Sequence, residues 1–95
     1  MKKYKLTKET RKVGDVNVYR IVALKDFEDV KKGDLGGWIE NESNLSQYDT
    51  CWVYDNAQVF KNAIVSGDAI VSGDARVYGD VEVSTKTKVE QEKGE

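Results

Sequence analysis

The chain has 95 residues, enough for one small domain whose core lies near the lower limit for independent folding. Its 15 basic and 17 acidic side chains leave a net charge of −2, which excludes a uniformly basic nucleic-acid-binding protein. A single cysteine excludes an intrachain disulfide, and without an apolar run of membrane-span or signal length we expect a cytoplasmic protein that contacts no membrane.

Positive charge is concentrated near the start of the chain. Residues 2–12 contain one acid, Glu9, and the basic side chains Lys2, Lys3, Lys5, Lys8, Arg11 and Lys12. Such a stretch is typical of a nucleic-acid arm, or of exposed strands whose lysines prevent edge-to-edge pairing. We favour the strand interpretation and expect no specific nucleic-acid partner, because no base-reading element accompanies the charges.

Two runs of alternating apolar and polar residues flank a turn at Gly14–Asp15, and the second runs from Val16 to Leu24. Alternation on both sides of a Gly-Asp turn predicts a β-hairpin. Its second strand is the longest apolar element before residue 51, so we expect it to lie over the open end of the later repeats as a cap.

The segment from Gly33 to Glu40 reads Gly-Asp-Leu-Gly-Gly-Trp-Ile-Glu, with two adjacent glycines before Trp38. Adjacent glycines indicate a sharp turn or a close approach of the backbone to another group. One interpretation is a ligand-binding loop. The other, which we favour, is a packing crossover in which Trp38 closes the core.

From Cys51 to Val83 the sequence repeats every six residues, with a small residue two positions before each valine and then a turn pair. The valines are Val53, Val59, Val65, Val71, Val77, Val83 and, further on, Val89. A period of six fits no helix, so it predicts short strands that point the small residue and the valine inward, joined by tight corners, the last at Thr85–Lys86. Counting backwards places Ile39 and Leu45 in register with Cys51.

The hexad Val-x-Gly-Asp-Ala-x resembles the hexapeptide repeat of left-handed parallel β-helices. In that family three hexads form one triangular coil, which implies that Val53 stacks on Val71, and Val71 on Val89. Together with the motif in residues 32–40, the repeat resembles a group of phage- and prophage-associated hexapeptide-repeat proteins, some of which are labelled as transferases. The resemblance implies a small β-solenoid from a phage or a bacterium, and it implies no established reaction.

The sequence therefore predicts an all-β fold: an N-terminal β-hairpin cap on a short parallel β-solenoid of the left-handed type. Residues 1–37 would form the hairpin cap and its connection, residues 38–91 the hexapeptide-repeat solenoid, and residues 92–95 a frayed, charged tail. We expect these segments to make one structural domain.

Residues typical of catalytic sites are missing from the sequence. Acyltransferases built on left-handed β-helices use a histidine base, carbonic anhydrases on that scaffold bind zinc through histidines, and this chain has no histidine. It also lacks a Walker-type phosphate loop, a Cys-x-x-Cys pair and a Gly-x-Ser-x-Gly elbow. Asp68, Asp74 and Asp80 fall on three different corners, which favours turns over a calcium site. We expect no enzymatic activity, no metal and no cofactor.

The outer surface of the predicted solenoid is the remaining candidate site. Its outward positions carry more apolar and aromatic side chains than a solvated face needs, namely Trp52, Tyr54, Phe60, Ile70 and Tyr78. They predict a protein-binding surface, because tyrosine and tryptophan dominate interface energetics; alternatively, the hairpin or the tail covers them. Trp38 and Arg76 are the candidates for a small-ligand pocket at a subunit junction.

We expect a homo-oligomer, either a symmetric dimer or a trimer, since so few coils bury little surface alone. The expected function is non-catalytic binding of a host or phage protein, for example as an inhibitor of a bacterial defence component. Two alternatives stay open: a purely structural assembly module, and a protein that sequesters a small ligand such as a nucleotide.

Overall fold

The computed structural model describes residues 2–84 and 87–94, which form an almost entirely β fold. The strands are β1 (Tyr4–Val13), β2 (Val16–Ala23), β3 (Leu35–Ile39), β4 (Trp52–Val53), β5 (Gln58–Val59), β6 (Ile64–Val65), β7 (Ile70–Val71), β8 (Arg76–Val77), β9 (Glu82–Val83) and β10 (Lys88–Val89). A 3₁₀ turn at Glu42–Asn44 is the one helical element in these ranges, and nothing in them is a helix able to cross a membrane. The predicted corner at Thr85–Lys86 and the terminal Glu95 lie outside the described residues.

The predicted hairpin is present, and it extends one sheet of the repeats. β1 pairs antiparallel with β2 around a turn in which Gly14 has a φ of +62°. β2 in turn pairs antiparallel with β3, giving a five-stranded sheet of order β1-β2-β3-β5-β8. The hairpin adds two strands because the free edge of β3 offers backbone partners, and at its start Lys3 and Tyr4 hydrogen-bond the carbonyl oxygens of Asp49, Cys51 and Leu45.

The hexads form parallel sheets, as the repeat predicts. β5 and β8 complete the five-stranded sheet, β4, β7 and β10 form a second sheet, and β6 and β9 form a third. Partners lie 18 residues apart, so Val53 pairs with Val71 and Val71 with Val89, as the resemblance to left-handed β-helices implies. The chain visits the three sheets in turn and returns to each one after three hexads.

Tight corners join the short strands through one residue with left-handed backbone. Gly67, Gly73 and Gly79 have φ values of 63°, 65° and 79° at the first position of their corners. Asp55 and Lys61 hold the same position in the earlier corners, each with a φ of 58°. A side chain at such a φ costs about 1–2 kcal/mol, so the first two corners are less relaxed than the glycine corners.

The backward extension of the six-residue register is wrong. Ile39 pairs with Val59 and Leu45 with Val65, so both occupy valine positions and not the position of Cys51. The segment between Leu45 and Val53 is two residues longer than a hexad. It forms a wider corner, in which the Asp49 carboxylate accepts a hydrogen bond from the Gly67 N–H at 3.1 Å.

The main core is the line of inward residues that the repeat predicts, continued by the inner face of the hairpin. Val53, Val59, Val65, Val71 and Val77 are fully buried, as are the small residues between them, Cys51, Ala57, Ala63, Ala69 and Ala75. Tyr4, Ile21 and Ala23 of the hairpin belong to the same cluster. The hairpin thus completes the core while it extends the sheet.

The two adjacent glycines are needed because the backbone of β3 passes close to its neighbours. A Cβ on Gly36 would lie 2.7 Å from the side chains of both Ile21 and Trp52. On Gly37 it would lie 2.5 Å from the Ala57 carbonyl oxygen. These approaches support the packing interpretation of the motif. Trp38 itself does not close the core, since its ring lies in a second cluster on the outer side of the sheet.

Side chains donate hydrogen bonds to backbone carbonyls beside the first strands of the second and third sheets. Lys3 is buried, and its ammonium donates to the carbonyl oxygens of Asp49 and Cys51, both at 2.7 Å, beside the edge strand β4. The side-chain amide of Asn44 donates to Lys61 O at 3.1 Å and to Ala63 O at 2.8 Å, beside β6. Carbonyls at an edge have no preceding strand to supply N–H groups, so these donors replace it.

The burial of Lys3 was not predicted, because its place in the basic stretch of residues 2–12 suggests an exposed lysine like its neighbours. Burial lowers the pKa of the Lys3 ammonium. The thiol of Cys51 lies 3.6 Å from the Lys3 nitrogen, and burial raises its pKa even though the ammonium acts in the opposite direction. A buried thiol with a raised pKa is a poor nucleophile, which agrees with a packing role for Cys51.

The charged end of the chain, predicted to fray, is hydrogen-bonded where it is described. The Lys93 N–H donates to Arg76 O at 2.7 Å, and Lys93 O accepts from the Tyr78 N–H at 3.1 Å. This bridge adds a parallel partner to β8 on the side away from β5. It holds Glu92 beside Tyr78, whose hydroxyl donates to the Glu92 carboxylate at 2.8 Å.

Candidate protein-binding face

The outer side of the five-stranded sheet brings the two predicted pocket residues into one row. Arg20 of β2 pairs with Trp38 of β3, Trp38 with Gln58 of β5, and Gln58 with Arg76 of β8. Residues paired in this way point to the same side of a sheet. We call this surface, with Arg11 of β1, the arginine face.

Two guanidinium groups of the arginine face lie against the Trp38 ring. The central carbons of Arg11 and Arg20 are 4.4 Å and 4.6 Å from the ring centroid, which are favourable cation–π distances. Arg20 also donates to the side-chain oxygen of Asn56 at 3.2 Å. The indole therefore holds two positive charges close together.

Carboxylates do not neutralise these charges within the part of the chain that the structure describes. The ion pairs found there are Lys2–Glu42 and Lys88–Glu90. Both are exposed, and neither contains a residue of the arginine face. Arg11, Arg20 and Arg76 have no such pair among the described residues. The excess positive charge of the face lies at Arg11 and Arg20, because the acidic residues Asp15 and Glu92 lie around Arg76.

An aromatic stack borders the arginine face. Phe60 and Tyr78 lie parallel at an angle of 12°, with centroids 5.3 Å apart. Phe60 is buried together with Val18 and Trp38, while Tyr78 is half-buried. The hydrogen bond to Glu92 raises the pKa of Tyr78 and fixes its ring. Gly94 of the tail also packs against the Tyr78 ring, so only part of Tyr78 is open to a partner.

A groove lies between the hairpin turn and the aromatic stack. It encloses about 340 Å³ and is lined by Gly14, Asp15, Phe60, Arg76 and Tyr78, among others. Its lining mixes apolar with charged side chains, and its size would suit one side chain of a partner.

Polar atoms of the row are buried without hydrogen-bond partners among the described residues. They are the Nε of Arg20, the Nε1 of Trp38 and the Oε1 of Gln58. Trp38 is only 3% exposed and Gln58 only 6%. Buried donors and acceptors are nearly always satisfied, so this row is a place where a further group is expected.

Trp52 does not contribute to an exposed surface, and the expectation that it faces solvent is wrong. It is 1% exposed, with the Phe27 ring 5.2 Å away at 73° and the Tyr4 ring 6.1 Å away at 72°. The connection between β2 and β3 folds over this part of the second sheet. For Trp52 the alternative of coverage by the chain itself therefore holds.

Tyr54 and Ile70 lie together on the second sheet, away from Phe60 and Tyr78. Both are half-buried and line a groove of about 380 Å³ with Glu28 and Asp29. The Tyr54 hydroxyl donates to the Asp29 carboxylate at 2.7 Å, and burial together with this carboxylate raises its pKa. No cluster of metal-ligating side chains occurs in the described ranges. The five predicted contact residues are thus divided: Trp52 is buried, Tyr54 and Ile70 lie in an acidic groove, and the buried Phe60 and the half-buried Tyr78 lie beside the arginine face.

Sequence reasoning missed Arg11 and Arg20 as parts of the site. Their spacing on the hairpin gave no signal, because the pairing of β2 with β3 decides which hairpin side chains meet Trp38. The alternation in β2 could have placed Val18 and Arg20 on one side, but not the partner across from them.

No family model matches the chain. Over 61 residues it is 38% identical to YdcK of Escherichia coli K12, which is described as an uncharacterized acetyltransferase. The similarity covers 56% of this chain and 19% of YdcK, so the chain spans about a fifth of the length of that relative.

Proposed function

We propose that the chain is a short left-handed β-solenoid that acts as a non-catalytic protein-binding module of phage type. The arginine face would be its contact surface, and its target a host or phage protein such as a bacterial defence component. The fold proposal is supported by partners 18 residues apart and by three sheets that the chain enters in turn.

The non-catalytic role is supported by the side chains available. The chain has no histidine to act as a general base, and its one thiol is buried with a raised pKa. Similarity to YdcK over 19% of its length brings in no reacting group that could be placed on residues of this chain.

The observation that carries the binding proposal is the combination of arginines and aromatic rings on one sheet. Arg11 and Arg20 stack on Trp38, and the half-exposed edge of Tyr78 lies beside Arg76. Arginine, tryptophan and tyrosine are the residues most enriched at energetic centres of protein interfaces. A surface of this composition without internal ion pairs supports a role in recognition.

Assembly of copies of this chain is a second candidate function. β9 and β10 are edge strands of their sheets, whereas the outer edge of β8 at the same end is bridged by Lys93. An open edge of this kind favours pairing with another copy. Light scattering at micromolar concentration would measure the mass; a clean monomer of 10.7 kDa would remove the assembly proposal.

Capture from a bacterial lysate with matched variants tests the binding proposal. Tyr78→Ser removes an aromatic edge beside the arginine face, whereas Tyr48→Ser makes the same change at a residue that is 94% exposed and distant in the fold. We expect a captured protein to be lost with Tyr78→Ser and retained with Tyr48→Ser. Equal recovery by wild type and Tyr78→Ser would remove the arginine face as the contact surface.

A further inference from the structure

We propose that the arginine face binds an extended acidic segment of a partner protein, with its carboxylates on the arginines and an apolar side chain in the adjoining groove. This inference rests on the proposed binding function and adds the chemistry of the partner. It follows from charge, from unsatisfied polar atoms and from spacing.

Charge is the first argument. Arg11 and Arg20 both lie within 4.6 Å of the Trp38 ring centroid, and with Arg76 they lack ion pairs in the described chain. Like charges held this close repel each other unless an anion lies between or above them. Carboxylates fit the guanidinium group with paired hydrogen bonds, which makes an acidic side chain the matching ligand.

The unsatisfied atoms are the second argument, and they favour a polypeptide. The Nε of Arg20 and the Nε1 of Trp38 need acceptors, while the Oε1 of Gln58 needs a donor. These atoms are buried in the free chain, so a ligand reaches them only when neighbouring side chains move aside. An extended acidic segment offers carboxylate and carbonyl acceptors together with backbone N–H donors. A phosphate chain offers acceptors only, so it would leave the Gln58 oxygen unpaired.

Spacing is the third argument. Arg20 and Arg76 are separated by three strand steps, from β2 through β3 and β5 to β8, or about 14 Å at roughly 4.8 Å per step. In an extended segment that crosses the strands, side chains four residues apart point the same way and lie about 13 Å apart. We therefore expect acidic residues at positions i and i+4 and an apolar residue at i+2, midway along the row between Trp38 and Gln58, with its side chain directed towards Phe60 at the groove.

The groove argues against nucleic acid as the ligand. Asp15 and Glu92 line it together with Arg76 and Lys61, so its own charges cancel. A phosphate backbone carries a charge at every step and would meet these carboxylates. A peptide can place an apolar residue there instead.

Fluorescence anisotropy tests the proposal on the full chain with defined probes. The first is a labelled peptide with Asp at i and i+4 and Leu at i+2 in a Gly/Ser background. The others are the same peptide with Asn in place of both Asp residues, and a double-stranded DNA oligonucleotide. Arg76→Gln and Arg20→Gln remove one guanidinium each. Lys31→Gln is the matched control, since it removes one charge from the connection between β2 and β3.

We expect the Asp peptide to bind about tenfold or more tightly than the Asn peptide, because hydrogen bonds to charged groups are strong. Arg76→Gln or Arg20→Gln should weaken binding by about tenfold, and Lys31→Gln should not change it. Added salt should weaken binding of the Asp peptide. Equal affinity for the two peptides, or tighter binding of the DNA, would overturn the proposal.

The outcome separates this inference from the proposed function. If lysate capture is lost with Tyr78→Ser but is insensitive to Arg76→Gln and to salt, the binding face stands and the acidic partner is wrong. If Tyr78→Ser leaves capture unchanged and the Asp peptide does not bind, both proposals are wrong.

Discussion

Replacing Gly37 with alanine tests whether the paired glycines exist for packing. The new Cβ would lie 2.5 Å from both the Ala57 carbonyl oxygen and a Val53 methyl carbon, well inside ordinary contact distance. Overpacking of this kind costs roughly 1–3 kcal/mol. The Ala57 oxygen also accepts the Trp38 N–H at 2.9 Å, so moving it away weakens a hydrogen bond worth about 1 kcal/mol.

A matched alanine substitution at Gly14 separates crowding from backbone conformation. Gly14 has a φ of +62° and no atom within 4 Å of a new Cβ, so only the left-handed backbone opposes alanine there. That costs about 1–2 kcal/mol and is partly offset by about 0.4–1 kcal/mol from the stiffer unfolded chain. We expect losses of about 2–3 kcal/mol at Gly37 and about 1 kcal/mol or less at Gly14.

Urea denaturation followed by tryptophan fluorescence measures both losses, since Trp38 and Trp52 are 3% and 1% exposed and report on unfolding. With a slope of about 1 kcal/mol per molar urea, the midpoint should fall by about 2–3 M for Gly37→Ala and by about 1 M or less for Gly14→Ala. A smaller loss at Gly37 than at Gly14 would refute the packing argument. It would restore the ligand-loop interpretation of the motif.

Further predictions concern the core, a corner and alkaline pH. Val71→Asp places a charge at a fully buried position and should unfold the domain, because the cost of several kcal/mol is a large part of a small domain's stability. Circular dichroism measures the loss of structure, and Ser72→Asp on the outer side is the control that should leave the spectrum unchanged. A folded Val71→Asp protein would contradict the pairing of valine rows. Lys61→Asn should raise the urea midpoint by about 0.5 M, since asparagine tolerates the φ of 58° better than lysine; a lower midpoint would mean that the corner is not strained. Burial raises the pKa of Tyr4 above its usual 10.0, so its contribution to stability is complete below pH 10 and is lost as pH rises further. The free energy of unfolding of Tyr4→Phe should therefore fall less than that of the wild type between pH 9 and pH 11. The lowered pKa of Lys3 acts with the opposite sign, but it affects both proteins alike. Parallel profiles of unfolding free energy against pH would contradict the raised pKa of Tyr4.

Most of the fold could be predicted from the repeat, because every hexad has the same pattern of a small residue, a valine and a turn pair. The valine spacing, with the three hexads per coil that the resemblance to left-handed β-helices implies, placed Val53, Val71 and Val89 in one row, and the pairing of β4, β7 and β10 follows it. The register failed between Leu45 and Val53, where two additional residues have no hexad signature. Ile39, Leu45 and Cys51 are still six residues apart, so the periodicity of the apolar residues does not reveal the insertion between Leu45 and Val53.

The candidate site was predicted only in part, because it depends on how the hairpin meets the repeats. Trp38 and Arg76 were selected from the sequence, and the structure places both in one row. Arg20 joined them through the pairing of β2 with β3, which local patterns do not specify. Trp52 was misplaced for the same reason: its outward position in the strand is correct, but the ring of Phe27 from a distant segment covers it.

The buried ammonium of Lys3 and the side-chain amide of Asn44 make the two ends of the repeat region different. Edge carbonyls near the start of the chain are already hydrogen-bonded by these side chains, so another strand arriving there would have to displace a buried charge. β9 and β10 are edge strands at the other end, where Lys93 bridges the neighbouring edge of β8. Lengthening by whole turns of 18 residues, whether by duplication within a gene or by engineering, is therefore tolerated after β10 and blocked before β4. End-to-end stacking of copies stops at a pair, because a fibre needs both ends open.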